Sequence, residues 1–112
     1  PVWCRNVSNE YDLIIAVANW PRPRREVFRT LLRARAMENL SYVIGVNRVG
    51  EDPNRLVYSG DSVIIDPRGK ALVEAEEGAE AVITATLDYA PLQDLRQKFP
   101  VWADADPFLL QI

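Results

Sequence analysis

Residues 13–18, Leu-Ile-Ile-Ala-Val-Ala, form an unbroken apolar run bounded by polar positions. Its length and β-branched content predict a strand buried on both faces. Asn19-Trp20-Pro21-Arg22-Pro23 ends it, because proline cannot continue a ladder. From Arg24 to about Leu40 the period changes. Val27, Phe28, Leu31, Leu32, Ala34 and Met37 recur at helical spacing, Arg25, Arg29 and Arg33 take another face, and Pro23 suits a first helical turn. Residues 42–46 read as a second buried strand and residues 50–54 as a polar loop. Residues 63–65 and 72–73 flank Asp66-Pro67-Arg68-Gly69, whose chemistry fits a type I turn between paired strands. Residues 81–87 alternate and predict a half-buried strand. Pro91 to Phe99 reads as a short helix, and residues 3–10 as a loop or the tail of a helix. The tail from Pro100 carries Val101, Trp102, Phe108, Leu109 and Leu110, and is expected to pack on a neighbouring element or a second subunit. The order β-α-β followed by three strands and a helix gives an α/β class with a mixed sheet and flanking helices.

Composition narrows the function classes. With 112 residues the chain is one domain at most. Hydrophobic residues at 48% are enough for a core, and charged residues at 26% fit a soluble globular protein. A net charge of -3 argues against a nucleic-acid partner. No apolar run reaches the roughly 18 residues that would span a membrane, and the start shows no leader pattern. A single cysteine, Cys4, excludes an internal disulfide, so a reducing cytoplasm is the expected setting. The sequence opens on Pro1 rather than on an initiator methionine, which suggests that it begins inside something longer.

Candidate chemistry is sparse. The absence of histidine removes Ser-His-Asp and Cys-His catalysis and most zinc sites. Cys4 lacks an indicated base and reads as an ordinary thiol. Asp104 and Asp106 have no third ligand in a recognisable loop and read as a solvated turn. Arg22, Arg24, Arg25, Arg29, Arg33 and Arg35 crowd one helix; phosphate binding is one reading, a solvated or subunit-facing surface with internal ion pairs the better one. Asn19 and Trp20 follow the C-terminal end of the first buried strand, where open α/β sheets bind ligands. They could shape a small pocket, or Trp20 could simply plug the core.

Six motifs in order carry a resemblance. They are Pro1-Val2-Trp3-Cys4-Arg5-Asn6; Tyr11-Asp12-Leu13 with Val17-Ala18-Asn19-Trp20-Pro21; Arg35-Ala36-Met37-Glu38-Asn39 with Tyr42-Val43; Asn47-Arg48-Val49-Gly50; Tyr58-Ser59-Gly60-Asp61-Ser62 through Asp66-Pro67-Arg68-Gly69; and Leu95-Arg96-Gln97-Lys98-Phe99-Pro100. Together they resemble the nitrilase superfamily of carbon–nitrogen hydrolases, in particular its omega-amidase-like branch. The resemblance implies a four-layer αββα sandwich that assembles into homo-oligomers, of which this chain is the C-terminal half. It also implies hydrolysis of terminal amides of small dicarboxylic monoamides through a Glu-Lys-Cys triad and a thioester, with no cofactor and no metal.

The triad itself has no match. Pro1 aligns with the proline of the family's nucleophile elbow, so the resemblance puts the cysteine upstream of it, with the glutamate and lysine further upstream. Cys4 does not take the nucleophile's place, and neither Lys70 nor Lys98 matches the catalytic lysine. Residues 1–112 are therefore expected to form a partial carbon–nitrogen hydrolase domain with no catalytic residue of its own. By position Asn19 and Trp20 would border the pocket, and Glu38 would play a supporting part. The competing expectation is a non-catalytic interaction or oligomerisation module, using an exposed sheet face and the arginine-rich helix.

Overall fold

The computed structural model describes residues 2–109; Pro1 of the elbow motif and Leu110 of the apolar tail lie outside them. Two 3-10 turns, Val2–Cys4 and Val7–Asn9, lead into strand β1 (Leu13–Ala18). A 3-10 turn at Arg22–Arg24 opens helix α1 (Arg25–Asn39), followed by β2 (Tyr42–Asn47). Then come β3 (Val49–Glu51), β4 (Val57–Ser59), β5 (Val63–Ile65), β6 (Ala71–Glu74), helix α2 (Tyr89–Lys98) and a 3-10 turn at Val101–Asp104.

Four strands form a mixed sheet in the order β1-β2-β5-β6. β1 and β2 run parallel, with Leu13 opposite Tyr42 and Ala18 opposite Asn47. The β2–β5 and β5–β6 pairs are antiparallel. The crossover between β1 and β2 is α1, as a parallel pair requires. α1 lays Phe28, Leu32 and Ala36 on Val43, Val63 and Ile65, and these six buried residues are the core. Gly45 permits that approach: a Cβ there would sit 2.4 Å from a Leu32 methyl.

The sheet's other face is open. Ile15 is 59% exposed and Val17 81%, and Val46 beside Val17 is also exposed. With a minimum extent of 18 Å, the molecule is one helix layer on one sheet layer. That is half the depth of an αββα sandwich.

Three expectations change. The alternation of residues 81–87 survives as burial, with Ile83, Ala85 and Leu87 half-buried, but no ladder partner exists among the described residues and no strand forms. The polar loop at 50–54 is in part strand: Gly50 and Glu51 belong to β3, and residues 52–56 turn the chain into β4, both strands being three residues long and too short to show a period. The helical stripe was drawn too wide: Val27, Leu31 and Met37 stay exposed, because one sheet covers only one side of α1.

Buried polar groups tie the ends together. α1 closes on Leu40 in the left-handed region (φ 42°), with the Leu40 and Ser41 N–H groups returning to the last turn. Arg96 of α2, 4% exposed, donates Nε to the Leu40 carbonyl at 3.0 Å and Nη2 to the Tyr11 carbonyl at 2.7 Å, and pairs Nη1 with Asp12 at 2.5 Å. Buried Asn6 exchanges hydrogen bonds with Tyr11 and Asn39. None of these links shows in a hydrophobic pattern.

Candidate pocket rim

The C-terminal ends of β1 and β2 lie side by side because the pair is parallel. Asn19 and Trp20 leave β1 there, and Asn47 ends β2. The Asn47 side chain grips the departing loop like a ladder residue. Its Oδ1 accepts the Trp20 N–H at 2.8 Å, and its Nδ2 donates to the Trp20 carbonyl at 2.9 Å and the Gly60 carbonyl at 2.8 Å. The Asn47 N–H donates to Ser62 Oγ at 3.0 Å. One amide thus joins the loops at 19–21, 47–48 and 60–62. Sequence reasoning quoted Asn47 only as part of a motif; its partners are backbone atoms 13 and 27 positions away, which no local pattern encodes.

Trp20 is half-buried. Its ring stacks on Phe28 at 5.7 Å, its Nε1 donates to the Arg24 carbonyl at 2.7 Å, and the Arg24 guanidinium lies 4.8 Å from the ring centroid. It therefore seals the edge of the core while facing the loop. Asn19 is exposed. Buried Tyr58 donates to Asp52 at 3.2 Å, and the Arg48 guanidinium lies 4.5 Å over its ring. Burial first, then the bond to Asp52, pushes the Tyr58 hydroxyl above its ordinary pKa, so it stays a neutral donor. A cleft of about 370 Å³ lined by Asn47, Arg48, Gly60, Ser62 and Glu80 opens beside these groups.

Glu38 is not part of this group. It sits at the far end of α1, roughly 20 Å away at 1.5 Å per residue, half-buried and paired with Arg35. It lines a larger cavity of about 930 Å³ between the first 3-10 turns and the tail, with Trp102, Asp104, Asp106 and Phe108. That cavity brings no nucleophile to a base and lies away from the C-terminal ends of β1 and β2. Cys4 is exposed, and its carbonyl accepts the Tyr11 hydroxyl. Among the described residues no cluster of three His, Cys, Asp or Glu is placed to hold a metal. Nor is any helix long and apolar enough to cross a membrane.

The arginine helix is largely neutralised from within. Arg25 and Arg29 both reach buried Asp61, at 2.5 and 3.2 Å, and extend to Glu77 and Glu74. Arg22 pairs with Glu77 and Arg35 with Glu38. Burial of Asp61 opposes its charge, but hydrogen bonds from Ser59, Arg25 and Arg29 outweigh it and hold the carboxyl below its ordinary 3.8. A depressed native pKa stabilises above the unfolded value and is lost as pH falls through the native one. Asp61→Asn is therefore expected to cost about 2 kcal/mol at pH 7. The gap to the parent chain should shrink as pH drops below about 4. Thermal melts across pH 2–7 check it; a gap that does not change with pH would refute the assignment.

The carbon–nitrogen hydrolase family profile matches residues 2–97. The chain is 50% identical over 110 residues to an omega-amidase of Escherichia coli K12, covering 98% of this chain and 43% of that protein. It is 33% identical over 105 residues to a 2-oxoglutaramate amidase of Bacillus subtilis, covering 93% and 40%. The crystal structure of a CN-hydrolase superfamily protein from Xanthomonas campestris, with an arsenic adduct in its active site, superposes with a TM-score of 0.93 at 46% identity, covering 99% of this chain and 44% of that one. The chain thus spans less than half the length of the relatives it matches.

Proposed function

This chain belongs to the carbon–nitrogen hydrolase family, and from that premise we propose that it is the pocket-rim portion of an amidase acting on the terminal amides of small dicarboxylic monoamides. The triad that the resemblance implies comes from sequence preceding this segment. A cysteine sulfur bonds the amide carbon, the carbon–nitrogen bond breaks, ammonia leaves, and water releases the acid from the thioester. No step of that chemistry is assigned to a residue of this chain. Asn19 and Trp20 border the substrate, and Glu38 supports the fold at a distance through Arg35.

The observation that carries this reading is the Asn47 amide, which anchors Trp20 beside the C-terminal ends of two parallel strands. Such a site is where open α/β sheets receive ligands. A cytoplasmic, homo-oligomeric enzyme belongs to the same reading: the only thiol is unpaired, and α1 leaves Val27, Leu31 and Met37 exposed.

The second reading, a non-catalytic interaction module, draws support from the open sheet face of Ile15, Val17 and Val46. One experiment separates the two. This chain replaces the matching segment of the Escherichia coli relative, and the swapped enzyme is assayed on a short monoamide. Amide hydrolysis is expected, with kcat/KM lowered about 10-fold or more by Asn19→Ala. Hydrolysis unaffected by Asn19→Ala would remove Asn19 from the rim. A folded swapped enzyme with no turnover would favour the interaction module.

A further inference from the structure

We propose that Arg48 is the specificity-determining residue that receives the free carboxylate of the substrate, an assignment that rests on the amidase reading above. The paired register ends at Ala18 opposite Asn47, so Asn19 and Arg48 are the first residues past the two paired ends. Neighbouring strands lie about 4.8 Å apart. Val17 and Val46, two positions before Asn19 and Arg48, lie on the face that α1 does not cover.

The guanidinium is held but not neutralised. It lies 4.5 Å over the ring of Tyr58, which is 5% exposed, and its nearest polar link is a long bond of 3.4 Å to the Glu51 carbonyl. Arg48 takes part in none of the ion pairs among the described residues. Its acidic neighbours are otherwise occupied or solvated. Asp52 accepts the Asn54 and Leu56 N–H groups at 2.9 Å and the Tyr58 hydroxyl, while Glu80, on the same cleft, is exposed. The platform is fixed as well, since Tyr58 is buried and donates to Asp52.

A planar, permanently charged fork on a fixed aromatic, beside an amide that can donate a further bond, matches a carboxylate in shape and charge. A neutral amide gains nothing from it. Arg24, the other stacked arginine, leans on Trp20 from the start of α1 rather than from a strand end, so it serves as the control.

The test uses the swapped enzyme with two substrates, a short monoamide ending in a carboxylate and a neutral aliphatic amide of equal length. Arg48→Gln is expected to raise KM for the carboxylate substrate about 10- to 100-fold with kcat little changed, which is the sign of lost ground-state binding. The neutral amide should be unaffected, Arg48→Lys should restore part of the loss, and Arg24→Gln should leave the preference intact. Because Arg48 is exposed, a cooperative melt equal to the parent's is expected and is recorded alongside. If Arg48→Gln keeps the parent's preference, the assignment is overturned while the amidase reading stands. A folded swapped enzyme that hydrolyses neither substrate overturns both.

Discussion

Arg96→Met is expected to lower folding stability by about 2–3 kcal/mol. The loss comes from the backbone more than from the ion pair. Arg96 satisfies the carbonyls of Leu40 and Tyr11; methionine would leave the Leu40 carbonyl without its donor, while Tyr11 keeps the bond from Asn6 Nδ2 at 2.8 Å. Each orphaned acceptor costs about 1–3 kcal/mol. Asp12, by contrast, has a side chain 47% exposed, so water takes over its charge once the arginine is gone. Asp12→Asn keeps an oxygen for Nη1 but leaves the buried guanidinium without its counter-charge, so a smaller loss of about 1–2 kcal/mol is expected. Leu40 sharpens the contrast, since its left-handed backbone is a conformation that a non-glycine residue holds only when its surroundings fix it. Urea titration of Arg96→Met and Asp12→Asn side by side checks this. Equal losses would mean that the ion pair, not the carbonyl contacts, carries the energy.

What the sequence makes legible follows from how far each cause reaches along the chain. β1 and β2 are continuous apolar runs, and α1 has a helical period over four turns, so each is written locally. Their parallel pairing follows from the helix between them. The β3–β4 hairpin is not legible, because strands of three residues ending in Gly-Glu and Val-Tyr-Ser show no period. Residues 81–87 show the opposite case: the period is real and the burial alternates, yet pairing depends on a neighbour that the described residues do not supply. Asn19 and Trp20 are readable as strand-end residues, which is what makes them the proposed rim. Asn47, Tyr58 and Arg48 gain meaning only when β2 and the hairpin are folded beside them. Glu38, expected in a supporting part, sits at the other end of α1 paired with Arg35.

The resemblance rested on ordered motifs rather than on one signature, and the family match now covers residues 2–97. The open face of the sheet fits the same picture. Ile15, Val17 and Val46 would each gain from being covered, about 1.5–3 kcal/mol for a fully buried aliphatic side chain. A second sheet laid on that face, with its own helix layer, would complete four layers.

The other large effect is all-or-none, and it bears on the central claim that this segment shapes a pocket without supplying the nucleophile. Acyl transfer through cysteine needs a thiolate with a base and donors for the developing oxyanion. Here the only thiol, Cys4, sits exposed on a 3-10 turn in a chain without histidine. The deciding measurement is ammonia release from a short dicarboxylic monoamide by the purified 112-residue polypeptide, alone and with Cys4→Ser. The account predicts no release above buffer from either. Release by the parent chain that Cys4→Ser abolishes would contradict it.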